Sequence, residues 1–137
     1  MKSLNYLEDF RNDLQKLEKY QTVIYGSFLS EYYIPQTSDI DIAIITQNRE
    51  KKDNLFLWRS MVGRFDKKYD IKIFELLPLW LKMEIIDNYK VLFGDLLEIS
   101  EYFYHYRSIW KDMEHRIKFN RFKNISEKVK LLERRIE

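Results

Sequence analysis

Two short segments of the chain carry residues whose types and spacing suit chemistry on phosphates. Gly26 and Ser27 end one β-prone run, and Asp39 and Asp41 lie two positions apart at the start of the next. A glycine has no Cβ, so a phosphate can approach its backbone, and a serine hydroxyl can donate to a phosphate oxygen. Carboxylates at positions i and i+2 of a strand share a side and repel each other unless a cation lies between them. Together the segments predict that Gly26 and Ser27 hold a phosphate and that the aspartates hold magnesium.

A third carboxylate is expected from a neighbouring strand. Asp70 lies near the start of an alternating run, residues 69–76, and can complete the site of a second Mg²⁺ and take the proton from an attacking hydroxyl. In a two-metal scheme, one ion activates the attacking oxygen and the other stabilises the leaving pyrophosphate. Glu75 competes for this role, but side-chain alternation puts it on the strand face opposite Asp70.

The elements that must position these residues follow from the spacing of the apolar side chains. Periods of two and of three to four residues alternate along the chain, which predicts a mixed α/β sheet with a helical C-terminal arm. We expect one domain, residues 1–137, with a catalytic core over about 20–95 and the arm over about 95–137. Asn120 to Asn124 is a candidate interruption of the arm. The predicted strands are 22–25, 40–45, 69–76 and 91–93, and the predicted helices are about 3–20, a short one after Gly26, 55–65, 78–88 and 95 to nearly the end.

Composition restricts the class of protein. The chain has 137 residues, 45% of them apolar, which suffices for a core, and its lack of cysteine excludes disulfides and thiolate zinc sites. No apolar run suits a signal peptide or a membrane span, so we expect a cytoplasmic protein without membrane contact. The net charge of +2 gives no general case for nucleic-acid binding. From His105 to Glu137, however, there are ten Lys/Arg and five Asp/Glu. A basic helix of this kind can contact nucleic acid or an acidic partner, but a solvated helix face is the more common meaning of the pattern.

Several aromatic and basic residues leave alternatives open. An aromatic cluster on the arm favours packing against the sheet or a homodimer through the C-terminal helices, over stacking on a base. Tyr32 and Tyr33, between the two motif halves, can stack on the nucleotide base or be self-modified. Lys72 shares a strand face with Asp70 and can contact a phosphate or form a simple ion pair. The cluster consists of Tyr102, Phe103, Tyr104, Tyr106 and Trp110.

The order of these motifs resembles the signature of the DNA polymerase β-like nucleotidyltransferase superfamily. Gly26-Ser27 is followed by eleven residues and then by Asp39-Ile40-Asp41, where the family commonly has ten. The sequence is most similar to the minimal nucleotidyltransferases, the MntA-type antitoxins usually paired with a HEPN-domain toxin. Leu76-Leu77-Pro78, and the segment from Val91 to Gly94, also resemble the end of the family's core, so the similarity covers about residues 20–95.

The resemblance implies a fold, a reaction and a set of site residues. It implies the polymerase β-like fold and transfer of AMP from ATP to a hydroxyl, with release of pyrophosphate and with Mg²⁺ as cofactor. In the antitoxin branch the acceptor is a tyrosine of the HEPN toxin. Carried over to this sequence, Gly26 and Ser27 bind the triphosphate, Asp39 and Asp41 bind metal, and Asp70 is the third ligand and base.

Two other functions compete with protein adenylylation. One is nucleotidyl transfer to a small-molecule hydroxyl, but such enzymes usually need a further domain for the acceptor, and 137 residues leave little room. The other is a non-catalytic module that binds a partner through the basic arm. A pure binder has no need for three converging acids, so the aspartates disfavour this reading.

Overall fold

The computed structural model describes residues 6–30 and 39–136, with the backbone alone for Phe122 and for residues 131–136. Tyr32 and Tyr33, and with them the predicted stacking on a base, lie outside the described residues. The α-helices are α1 (Tyr6–Asp13), α2 (Lys51–Met61), α3 (Leu79–Asp87) and α4 (Leu96–Ile136), the strands are β1 (Gln21–Tyr25), β2 (Ile40–Ile45), β3 (Tyr69–Ile73) and β4 (Tyr89–Phe93), and 3₁₀ helices cover Gln15–Leu17, Gly26–Leu29 and Phe74–Leu76.

The strands form one mixed sheet in the order β3-β2-β1-β4. β1 is antiparallel to both β2 and β4, whereas β2 and β3 are parallel. The chain can join the parallel pair because α2 carries it back along the sheet. This architecture, with the long helix after β4, confirms the predicted mixed α/β fold with a helical C-terminal arm.

Alternation along β2 places core residues on both faces of the sheet. Ile42 and Ile44 pack with α1 and neighbouring apolar residues on one face. Ala43 and Ile45 pack on the other, beneath α3 and the first turns of α4. Asp41 is the one residue of β2 that is only half-buried.

The aromatic residues of α4 mostly pack against the sheet, as the favoured interpretation predicted. Phe103 is buried, with its ring centroid 5.0 Å from that of Phe74 and 5.0 Å from that of Tyr89. The ring of Tyr106 meets Phe74 edge-on at 5.3 Å. Tyr104 is the exception, since 70% of it is exposed.

Several predicted element boundaries are wrong. α2 covers Lys51–Met61 rather than 55–65, and β4 begins at Tyr89 rather than at Val91. The first helix stops at Asp13 and continues as a 3₁₀ turn, because Leu14, with φ −109° and ψ 23°, leaves the helical region while its side chain stays buried. β3 ends at Ile73, and residues 74–76 form a 3₁₀ helix instead of strand. α4 runs through Asn120 and Asn124 without a break, because asparagine costs a helix only about 0.7 kcal/mol relative to alanine.

None of the helices in the described part of the chain is long and apolar enough to cross a membrane.

Candidate functional site

Asp41 and Asp70 lie side by side at one edge of the sheet. They are register partners on the parallel strands β2 and β3, whose first residues, Ile40 and Tyr69, are paired at the same edge. Asp39 lies just before β2 and is exposed. The strand pattern thus brings the second and third predicted carboxylates together and leaves the first at the rim.

The electrostatics of this pair favour a cation. Burial, and after it the neighbouring charge of Asp70, raises the pKa of Asp41 above its ordinary value. The ammonium of Lys72 partly offsets this effect, and Asp39 adds to it. An ionised Asp41 is therefore held in a place that disfavours its charge, and a bound cation would relieve the repulsion.

Gly26 brings the end of β1 into contact with Asp41. Tyr25 is the register partner of Asp41, so the next residue lies beside the carboxylate. Gly26 has φ +79°, and a Cβ built on it would collide with Oδ2 of Asp41. Only glycine allows both this conformation and this approach.

Ser27 lies in the turn that follows. It is half-buried within the 3₁₀ helix Gly26–Leu29. Its carbonyl accepts hydrogen bonds from both the amide and the hydroxyl of Ser30, at 2.9 Å and 2.8 Å. These bonds fix the turn that carries Ser27 next to the aspartates.

Lys72 forms the ion pair that was one of its two predicted roles. Its Nζ lies 3.4 Å from Oδ2 of Asp70, and both side chains are more than one-third exposed. An exposed pair of this kind contributes little to stability, so Lys72 remains available to a ligand.

Glu75 has a different role from the one considered for it. Its carboxylate accepts hydrogen bonds from the amides of Thr46 and Gln47, each at 3.1 Å, and from Tyr102 Oη at 2.7 Å. These partners lie beyond the end of β2 opposite Asp41. Glu75 is thus separate from the acidic pair, although the reason is the 3₁₀ turn that carries it rather than strand alternation.

Tyr25, which the sequence did not single out, lies beside the acidic pair, and the charge of Glu84 acts on its hydroxyl. Tyr25 is 5% exposed, and its hydroxyl has no hydrogen-bond partner among the described residues. Burial, followed by the charges of Asp41, Asp70 and Glu84, raises its pKa. Only the antiparallel register of β1 and β2 reveals Tyr25, and only the position of α3 over the sheet reveals Glu84.

The residues present fit a divalent cation in an open site. Across residues 6–30 and 39–136, no three Asp, Glu or His side chains form a closed metal-binding cluster. Magnesium, however, often takes only one or two carboxylates and completes its shell with water and substrate phosphates. Asp41 and Asp70, beside the glycine that leaves room for a phosphate, supply that donor set.

Comparison with known proteins identifies the family of the chain. The Polymerase beta nucleotidyltransferase family matches residues 8–96. A Methanocaldococcus jannaschii protein, whose name marks it as a candidate protein adenylyltransferase, is 50% identical over 112 residues, covering 82% of this chain and 86% of its own.

Solved structures show the same fold at low sequence identity. A chain from a toxin–antitoxin structure with AMP-PNP is 17% identical and matches with a TM-score of 0.59, over 76% of this chain and 89% of its own. A chain from the Shewanella oneidensis complex of a tri-AMPylated HEPN toxin with an MNT antitoxin is 16% identical and matches with a TM-score of 0.56, over 79% and 89%. The family match and the relative of half-identical sequence show that this chain belongs to the polymerase beta family of nucleotidyltransferases, which are enzymes.

Proposed function

We propose that this chain transfers AMP from ATP to a hydroxyl of a protein, with release of pyrophosphate. The observation that carries the proposal is the pairing of Asp41 with Asp70 directly beside Gly26. Two carboxylates and a backbone without a side chain meet at one point, which suits a cation and a triphosphate at once.

Each site residue has a role in this reaction. Gly26 and Ser27 bind the triphosphate, the first by close backbone approach and the second through its hydroxyl. Asp39, Asp41 and Asp70 would hold Mg²⁺, which when bound supplies positive charge against the phosphate oxygens. Asp39 is the exposed member, so it can reorient towards an incoming nucleotide.

The bond changes follow from the acceptor's chemistry. The acceptor oxygen forms a bond to the α-phosphorus of ATP, and the bond from that phosphorus to the α–β bridging oxygen breaks. Pyrophosphate leaves with the electron pair, and Asp70 accepts the proton of the acceptor hydroxyl. Lys72 lies 3.4 Å from Asp70 and can balance the charge of the phosphates as they move.

A HEPN-type toxin is the proposed acceptor, modified on a tyrosine. The chain shares its fold with proteins solved in toxin–antitoxin complexes, one of them with an AMPylated HEPN toxin. The relative of half-identical sequence, a candidate protein adenylyltransferase, supports a protein rather than a small molecule as acceptor.

Incubation with radiolabelled ATP and Mg²⁺, with and without a HEPN protein from the same genome, tests the proposal. We expect label on the HEPN protein in the presence of the native chain and none with the double variant Asp39→Ala/Asp41→Ala. Asp112→Ala is the control, because Asp112 pairs with Arg116 on the exposed arm of α4, and we expect this variant to leave labelling unchanged. Label on a small hydroxyl compound, or no label despite nucleotide binding, would overturn the protein-acceptor proposal.

A further inference from the structure

Tyr25 carries a polar group that the fold buries without using. Its hydroxyl is inaccessible to solvent and has no hydrogen-bond partner among the described residues. A buried polar group without a partner costs stability, and phenylalanine would fill the same space without that cost. The hydroxyl therefore calls for an explanation other than packing.

A candidate partner is a carboxylate on the neighbouring strand that also lacks a hydrogen-bond partner among the described residues. Asp41 is the register partner of Tyr25 across β1 and β2. In the described part of the chain, Asp41 accepts no side-chain hydrogen bond and has no cation within 4.0 Å. Asp70, by contrast, already has Lys72 at 3.4 Å. The unused donor and the unused acceptor thus occupy paired positions on neighbouring strands.

The surroundings determine which way this donor acts. Asp41, Asp70 and Glu84 are the charges that act on the Tyr25 hydroxyl, in decreasing order of effect. Beside three carboxylates the phenol of Tyr25 keeps its proton. Its hydroxyl can therefore act as a hydrogen-bond donor to one of them. A carboxylate that binds a cation through one oxygen is commonly oriented by a hydrogen bond to the other.

We propose that Tyr25 is a positioning residue, whose hydroxyl donates to the Asp41 carboxylate when a divalent cation is bound there and so holds that carboxylate in its cation-binding orientation. The inference rests on the proposed function only in the identity of the site, because it concerns cation binding before any transfer. In this role Tyr25 acts on the reaction through Asp41 and needs no contact with ATP or the acceptor.

The test compares Tyr25→Phe with a matched tyrosine that has a structural partner. Tyr89 is the register partner of Tyr25 on β4, and its hydroxyl lies 2.9 Å from Ser100 Oγ. For both variants and the native chain, Mn²⁺ affinity is measured from the electron paramagnetic resonance signal of free Mn²⁺. The Tm of each protein is measured without metal. Asp41→Asn is measured as a reference, because the Mn²⁺ binding that this variant loses is the binding at this site.

The two variants are expected to show opposite patterns of Mn²⁺ affinity and Tm. Tyr25→Phe should bind Mn²⁺ about tenfold more weakly and keep or raise Tm, since it removes an unused polar group. Tyr89→Phe should lower Tm and leave Mn²⁺ affinity unchanged. Unchanged Mn²⁺ affinity in Tyr25→Phe, a fall of its Tm, or a native chain that binds no Mn²⁺ would each overturn the inference.

AMP transfer measured alongside separates this inference from the proposed function. If the native chain transfers no AMP but Tyr25→Phe still weakens Mn²⁺ binding, the proposed function fails and the role of Tyr25 stands. If transfer occurs and both Mn²⁺ affinity and kcat are the same in Tyr25→Phe, the role of Tyr25 fails and the function stands.

Discussion

At the scale of single residues, the ionised Asp41 that suits cation binding also lowers the stability of the metal-free fold. Burial and the neighbouring Asp70 raise the pKa of Asp41, so the folded chain holds that proton more tightly than the unfolded chain does. The ionised carboxylate therefore destabilises the metal-free fold at neutral pH. This cost disappears as the pH falls through the raised pKa.

Replacing this charge should separate the two effects. We expect Asp41→Asn to lose AMP transfer by about 100-fold or more, since the charge opposite the phosphates is gone. In metal-free buffer at pH 7 its Tm should exceed that of the native chain, and the difference should shrink as pH approaches the ordinary aspartate value of 3.8. Calorimetry across this range measures it, and a lower Tm for the variant at pH 7 would contradict the account.

Gly26 offers a test of close approach that is independent of charge. Gly26 and Gly63 both have φ +79°, but an added Cβ meets Asp41 at the first and nothing within 4 Å at the second. Both alanine variants should lose about 1–2 kcal/mol of unfolding free energy from the left-handed backbone. Only Gly26→Ala should also lose AMP transfer, as an assay of both variants would show. Equal activity of the two variants would mean that Asp41 does not need the space.

At the scale of elements, Glu75 ties the end of β2 to α4. Its carboxylate accepts from two backbone amides and from Tyr102, so we expect Glu75→Gln to cost about 1–3 kcal/mol in urea unfolding. Mn²⁺ affinity should stay unchanged, because the bonds lie beyond the far end of β2. A variant of native stability without AMP transfer would instead make Glu75 the third catalytic acid.

The elements also show what a sequence can and cannot predict. Strand periodicity was enough to predict that Asp41 and Asp70 meet where their strands begin, because the period of a strand is local. Asp39, by contrast, precedes β2 and is exposed. Tyr25 could not be found in this way, since its partner depends on the register between β1 and β2. The turn at Leu14 and the hydrogen bonds of Glu75 likewise depend on contacts between residues distant in sequence. Secondary-structure propensities carry no information on such contacts.

At the scale of the whole molecule, the arm of α4 extends beyond the body. Phe103 and the half-buried Tyr106 and Trp110 pack near the sheet, but residues 111–121 and 123–130 are exposed apart from the half-buried Ser126. The exposed part includes apolar side chains, and homodimerisation or toxin binding through it remains a prediction. The exposed apolar residues are Met113, Ile117, Phe119, Ile125 and Val129.

Removing the part of this arm beyond residue 117 should leave the catalytic body intact. A chain that ends at residue 117 keeps the residues of α4 that pack on the sheet, so we expect its Tm and Mn²⁺ affinity to match those of the full chain. Sedimentation of both chains, alone and with the HEPN protein, measures whether the arm forms either assembly. A loss of Tm on truncation would show that the arm supports the fold itself.

We expect AMP, and not the terminal phosphate of ATP, to pass to a protein hydroxyl at the site of Asp41 and Asp70. The most direct measurement incubates the native chain, Mg²⁺ and the HEPN protein with ATP labelled in either the α- or the γ-phosphate. We expect protein-bound label from the α-phosphate alone, located on tyrosine and absent with Asp41→Asn. Protein-bound label from the γ-phosphate, or α-label that persists in Asp41→Asn, would contradict it.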